Sequence, residues 1–155
     1  MSVASAVQDV EVWTLDLSGF VEAEEGMTVS EVVRRMQHCG GHAALIMCGD
    51  RLCGIFTKRD VTHKVADQPA FWERPVRDFM TREPVVIPPR ASLMEALRRM
   101  NSGQFRDLPV VDPSGRVVGN LTDSVIVQRL GECLQAEVLN LPPDPDQVTD
   151  TVEGA

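Results

Sequence analysis

The chain contains two copies of one unit. TVSEVVRRM at Thr28 to Met36 aligns with SLMEALRRM at Ser92 to Met100 at a spacing of 64 (92 minus 28), and GIFT at Gly54 to Thr57 aligns with GNLT at Gly119 to Thr122 at 65 (119 minus 54). The gained residue falls where the turn CGDR of the first copy becomes DPSGR in the second. A unit of this size cannot bury its apolar face alone, so two copies in one chain must share a core.

Each copy carries signals for the same elements. Thr28 with Glu31, and Ser92 with Glu95, have the spacing of a capping box, in which hydroxyl and carboxylate each satisfy a free backbone N–H at a helix start. Behind them Val29, Val32, Val33 and Met36, and likewise Leu93, Ala96, Leu97 and Met100, fall at i, i+3, i+4 and i+7 and form one apolar stripe. Gly40 and Gly103 are the expected helix stops. Two apolar runs follow in each copy, AALIMC with LCGIFT and LPVV with VVGNLT, and read as hairpins. Second helices are expected from about Lys58 to Val65 and Asp123 to Leu130, and extended runs at Phe20 to Glu22 and Val85 to Ile87. The predicted unit is strand, helix, strand, strand, helix. Its fold class is α+β, two β-α-β-β-α lobes packed sheet to sheet about a pseudo-twofold axis with clefts between them.

The predicted layout is an N-terminal extension over 1–16, lobe 1 over 17–66, a connector over 67–79, lobe 2 over 80–131 and an acidic, proline-rich tail over 132–155. In the connector Pro69 and Pro75 act as breakers, and Phe71 and Trp72 as anchors onto the body. Hydrophobic residues at 43% and charged residues at 25% match a globular chain. A net charge of −8, with five Phe, two Trp and no Tyr, disfavours nucleic acid as a partner, so any phosphate must meet a local basic cluster. No run reaches the ~18 apolar residues of a spanning helix, and the first sixteen residues resemble no secretory signal, so the expected location is cytoplasmic, without a membrane partner. Cys39, Cys48, Cys53 and Cys133 are too few and irregular for a secreted disulfide framework.

Residues 75 to 122, through VRDFMT, PVVIPPRASLMEAL, LPVVD and GRVVG, resemble the CBS domain, and residues 17 to 65 resemble a second, more divergent copy. The two together are similar to a tandem pair, or Bateman module, with no catalytic domain left over. The resemblance implies a regulatory module that binds an adenosine compound (AMP, ADP, ATP or S-adenosylmethionine) between the lobes and pairs into a homodimer. No obligatory cofactor is implied, and a target enzyme or transporter is a possible partner.

That family's pattern of glycine, two apolar residues, Thr, two variable residues and Asp ends at Thr57 and Asp60. In this light the Thr57 hydroxyl donates to a phosphate at a helix start, and the Asp60 carboxylate, all acceptor, takes both hydroxyls of a ribose. The resemblance puts Ile55, Thr57, Lys58 and Asp60 in one wall, and Thr81, Pro84, Val85, Phe105, Arg106 and Asp107 in the other. Lys58, Arg59 and Arg106 would supply the basic cluster. In the second copy Val125 stands where the family has Asp, and an isopropyl group accepts no hydrogen bond. A degenerate second cleft bounded by Phe20, Val21, Gly41, His42 and Thr122 is therefore expected.

Competing readings attach to the same residues. Thr57 and Asp60 also suit plain helix capping. His38, Cys39, His42, Cys48 and Cys53 fit no zinc spacing, and Cys48 and Cys53 read as small buried strand residues with no metal. Without a P-loop, G-x-S-x-G or H-E-x-x-H, no catalytic residues are expected. The alternative to a sensor is a ligand-silent dimerisation or protein-interaction scaffold.

Overall fold

In the computed structural model, which describes residues 3–139, the two copies form two lobes. The first comprises β1 (Val21–Glu24), α2 (Val29–Cys39), β2 (Ala43–Cys48), β3 (Arg51–Thr57) and α3 (Lys58–Asp60), which runs on as a π-helical turn over Val61–Val65. Lobe 2 comprises α4 (Leu93–Gly103), β5 (Asp107–Val111), β6 (Val117–Thr122) and α5 (Asp123–Leu139). Ahead of both lies α1 (Val3–Asp9), with a 3-10 turn at Val12–Thr14.

The lobe 1 sheet has the order β1-β2-β3-β4, in which β4 is the short strand Thr81–Arg82 donated by the chain entering lobe 2. Lobe 2 repeats this order with single bridges in place of outer strands: Ile87 pairs with Val110 on one side of the β5-β6 hairpin, and Ser18 with Asn120 on the other. Each lobe thus completes its sheet with chain that leads into the other. The expected strand at Val85 to Ile87 is reduced to Ile87 alone, whose N–H donates to Pro109 O at 3.0 Å while its carbonyl accepts from Val111 N at 3.0 Å. Pro84 and Pro88 bracket the run, and proline brings no N–H to a ladder.

Exchange extends to the cores. Val76 of the connector and Met80, the residue before β4, are buried with Val29, Val32, Met36, Ala44, Ile46 and Phe56 of lobe 1, and Phe71 and Trp72 pack against that cluster. Val7, Val10 and Val12, from the N-terminal extension, are buried with Leu93, Ala96, Met100, Leu108, Leu121 and Ile126 of lobe 2. Paired bridges mark the correspondence, Thr28 with Pro75 and Glu11 with Ser92. Ala43, Leu45 and Ile55, on the other face of the lobe 1 sheet, make a smaller buried cluster with Phe20, Leu52 and Val117 where the two sheets meet.

Local signals are realised with three differences. Thr28 Oγ1 accepts from Glu31 N at 3.2 Å and Ser92 Oγ from Glu95 N at 3.1 Å, but the two glutamates turn to arginines on the next turn, Arg34 at 2.7 Å and Arg99 at 3.1 Å, so the boxes are one-sided. Gly40 takes the left-handed cap of α2, whereas Gln104 and not Gly103 caps α4. A Cβ on Gly103 would overlap the Phe105 ring, so that glycine serves close packing. Finally, α5 continues to Leu139, so residues 132–139, expected in the tail, are helical. The tail from Asn140 lies outside the described residues.

Candidate functional site

Strand β3 ends at Thr57 and the chain turns directly into α3, placing Thr57 and Asp60 at the junction of the lobes. Thr57 Oγ1 accepts from Asp60 N at 3.4 Å, and Asp60 Oδ2 accepts from Thr57 N at 2.9 Å and its hydroxyl at 3.3 Å. The reciprocal capping box thus forms here. Asp60 Oδ1 is held by Lys64 Nζ at 3.0 Å, and Lys64 also donates to the Phe79 carbonyl at 2.7 Å. The Asp60 side chain is 14% exposed, so its remaining acceptor capacity is open to the space beside it, whereas Lys64 lies outside the lining of that space.

That space is a cavity of about 1010 Å³ between the lobes. Ile55, Thr57, Lys58 and Asp60 line it, as do Thr81, Pro84, Val85, Phe105, Arg106 and Asp107, but Thr81 is the strand partner of Ile55 and so stands beside it and not in an opposite wall. All ten residues singled out in the sequence border it. Val85 and Phe105 are 43% and 36% exposed, which leaves apolar surface uncovered in the wall. The expected basic cluster is diluted: Lys58, Arg59 and Arg106 alternate with Asp60, Glu83, Asp107 and Asp123. Glu83 had no signal in the sequence, since it enters the wall by a left-handed turn at φ 47° that nothing about glutamate predicts.

The second set of residues is divided. His42 and Thr122 line the same cavity, because His42 O accepts from Lys58 N at 3.1 Å just as Arg106 O accepts from Asp123 N at 2.9 Å. Phe20, Val21 and Gly41 do not line it. Phe20 packs into the cluster between the sheets, Val21 is in the lobe 1 core, and a Cβ on Gly41 would lie 3.7 Å from the Phe20 backbone. A Cβ on Gly19 would come within 3.2 Å of the Thr122 methyl, so the chain passes Thr122 closely there. Val125 donates its N–H to Thr122 Oγ1 at 3.3 Å and packs its side chain on the lobe 2 core, offering no acceptor.

Asp107, in the cavity lining, forms a polar pair with Asn120, which lies outside that lining. Asn120 is fully buried; its Nδ2 donates to Asp107 Oδ1 and to Gly19 O, both at 3.1 Å, while its own Oδ1 has no partner. Burial pushes the Asp107 carboxyl above the usual aspartate range, with the Asn120 hydrogen bond opposing and the nearby Asp123 adding to the rise. An acid whose pKa is raised by folding holds its proton more tightly folded than unfolded. Its favourable contribution is present at low pH and is lost as pH rises from the ordinary aspartate range through the raised folded value. Asp107→Asn should therefore gain stability relative to the parent as pH rises through that window, keeping an acceptor for Asn120 without a buried charge. Urea denaturation from acid to neutral pH measures it; a difference independent of pH would refute it.

Two thiols differ from expectation: Cys48 is exposed and Cys53 half-buried, so neither is a fully buried strand residue. Among the described residues no helix is long and apolar enough to cross a membrane.

Two lobes of one α+β unit, each finishing the other's sheet and sharing a cavity, define a domain pair. The CBS domain model matches residues 16–67 and 76–132, and the chain belongs to the CBS domain family, whose domains are mostly regulatory modules. A CBS domain-containing protein of Arabidopsis thaliana is 39% identical over 99 residues, 63% of this chain and 18% of that protein's length. An inosine-5'-monophosphate dehydrogenase of Korarchaeum cryptofilum is 30% identical over 129 residues, 83% of this chain and 26% of the enzyme. The chain thus spans about a fifth to a quarter of these relatives. Among solved structures, the CBS domain pair of protein MJ0100, in complex with 5'-methylthioadenosine and S-adenosyl-L-methionine, superposes with a TM-score of 0.72 at 21% identity, covering 79% of this chain and 97% of that one. The cytosolic domain of the Mg2+ channel MgtE, in complex with ATP, gives 0.66 at 25% identity, covering 82% and 51%.

Proposed function

We propose that this chain is a regulatory, non-catalytic module that binds an adenosine-containing ligand, AMP, ADP, ATP or S-adenosylmethionine, in the cavity between its lobes. The observation that carries the reading is the convergence of ten residues from both copies on one cavity. A ribose diol would take acceptors from Asp60, competing with Lys64 for Oδ1. Val85 and Phe105 would gain cover from the base, and Lys58, Arg59 and Arg106 would meet phosphate or a carboxylate. The ATP and S-adenosyl-L-methionine held by the MgtE and MJ0100 domain pairs favour this ligand class. Residues 17–66 and 80–131 would be the working lobes of a cytoplasmic homodimer that answers the ligand by changing geometry and acts on a target enzyme or transporter. Ligand energy reaches such a target only through different affinities for two arrangements. The close passage of Gly19 past Thr122, and Val125, argue for one competent site per chain.

Thermal denaturation with each ligand tests the reading. At a hundredfold excess over Kd the stabilisation should be about 2.7 kcal/mol. Asp60→Asn keeps an acceptor for the Thr57 N–H and should weaken binding roughly tenfold to a hundredfold. Asp60→Ala is the poorer probe, since loss of the capping box costs about 1 kcal/mol on its own. A chain shifted by none of these ligands would leave the scaffold reading, which the occupied Asp60 carboxylate favours: a ligand-silent dimer whose helix faces bind the partner.

A further inference from the structure

At the far end of β3 from Thr57 three ligand atoms meet. Glu25 lies in the turn between β1 and α2, Cys48 at the end of β2, and Cys53 in β3. The Cys48 thiol donates to Glu25 Oε1 at 3.3 Å. Cys53 is the residue skipped between the Ile46–Gly54 and Met47–Leu52 pairs, and its thiol donates to the Ile46 carbonyl at 3.3 Å. Both sulfurs and a carboxylate oxygen of Glu25 lie within 4.8 Å of one another.

We propose that Glu25, Cys48 and Cys53 form a binding site for a thiophilic divalent cation of the zinc class, with water in the fourth position. Zinc holds thiolates at about 2.3 Å and carboxylate oxygens at about 2.0–2.2 Å, so tetrahedral ligands stand roughly 3.3–3.8 Å apart. The Glu25–Cys48 pair is already at 3.3 Å, and the other ligand atoms lie within 4.8 Å. Two thiolates with one carboxylate select zinc over magnesium or calcium, which prefer all-oxygen shells. The electrostatics agree. Cys48 is pushed up by its hydrogen bond to Glu25 and then by that charge, and Cys53 by burial and then by Cys48 and Glu25. Three groups that would repel one another as anions keep two protons, and a dication removes the repulsion. On binding, both thiol protons pass to solvent, so affinity rises with pH. The site also reaches the cavity through the backbone, because Cys53 O accepts from Glu83 N at 3.3 Å and Glu83 lines the cavity wall.

Glu25 stands 23 residues before Cys48, too far for a local motif. Cys48 and Cys53 are spaced C-x4-C, at the long end of the range zinc ligand pairs use, which corrects the expectation that these thiols fit no zinc spacing.

The test uses the full reduced chain, titrated with Zn²⁺ against a chromophoric chelator, with Co²⁺ as a spectroscopic probe. Expected are one zinc per chain and thiolate-to-cobalt charge-transfer absorption. Cys48→Ser, at an exposed position compatible with folding, should abolish the absorption. Glu25→Gln should weaken zinc at least tenfold, because even outer-shell changes cost that much. Cys39→Ser and Cys133→Ser should change neither readout. A reduced chain that binds no zinc, or binds it equally well as Cys48→Ser, overturns the proposal.

Discussion

A chain lacking residues 1–16 should lose its second lobe, although those residues lie before the first. Val7 and Val12 are 1% and 0% exposed and Val10 is 9%, all packed on Leu93, Met100 and Ile126. Burying a valine fully stabilises by about 1.5–3 kcal/mol, so removing all three costs roughly 5 kcal/mol or more. Backbone bonds go too: Val12 N to Ala91 O, and Leu93 N to Val10 O, each at 2.9 Å, the second at the first residue of α4. Domains are stable by about 5–15 kcal/mol in total, so the deletion removes a large share of the whole. The expected result is loss of cooperative unfolding for lobe 2, read by amide hydrogen exchange over residues 87–126, with lobe 1 amides protected longer. The milder Val12→Ala should cost about 2 kcal/mol in urea. Unchanged protection in the truncated chain would show that the extension merely drapes over the lobe.

This segment was hard to see in the sequence for a physical reason. Val12 occupies in lobe 2 the place that Val76 occupies in lobe 1, and both are fully buried, yet little else is shared by the chain around them. A segment of single bridges and 3-10 turns carries no period to detect. The helices were legible because their information is local: Thr28 and Ser92 cap where they stand, and the apolar stripes behind them are buried. The candidate cavity was legible through the ordered pattern at Gly54 to Asp60 and its second occurrence. Pattern could not reveal that Asp60 also completes a capping box and pairs with Lys64, or that Asp107 leans on a buried Asn120 with an orphaned oxygen. These depend on side chains meeting across elements. Local strain was equally invisible at Glu83 and Gln104, both non-glycine residues with positive φ bordering the cavity. Such geometry survives only where surroundings over-determine it, and it clusters at ligand clamps and switch regions.

Glycine within the repeated G-x-x-T is a second consequence of the exchange, and Gly119→Ala should lower the stability of the whole chain by about 2–3 kcal/mol. A Cβ at Gly119 would sit 2.5 Å from Leu17 Cβ and 2.7 Å from Leu17 O, and Leu17 O is held there as acceptor for Asn120 N at 2.9 Å. Backbone cannot step aside without opening that bond. Gly54 has the same role in lobe 1, where the crossing chain is β4: a Cβ would overlap Met80 Sδ and lie 3.0 Å from Thr81 O. A methionine side chain yields more readily than a carbonyl, so Gly54→Ala should cost less than Gly119→Ala. Gly131, in α5 with nothing within 4 Å of its added Cβ, is the control; Gly131→Ala should gain about 0.5–1 kcal/mol by helix propensity. The expected order of melting temperature is Gly131→Ala, parent, Gly54→Ala, Gly119→Ala, the last roughly 5–10 °C below the parent. If Gly119→Ala melts with the parent, then lobe 2 does not depend on close passage of residue 17. The mutual completion of sheets that builds the cavity would then be a weaker constraint than the contacts at Gly119 and Gly54 imply.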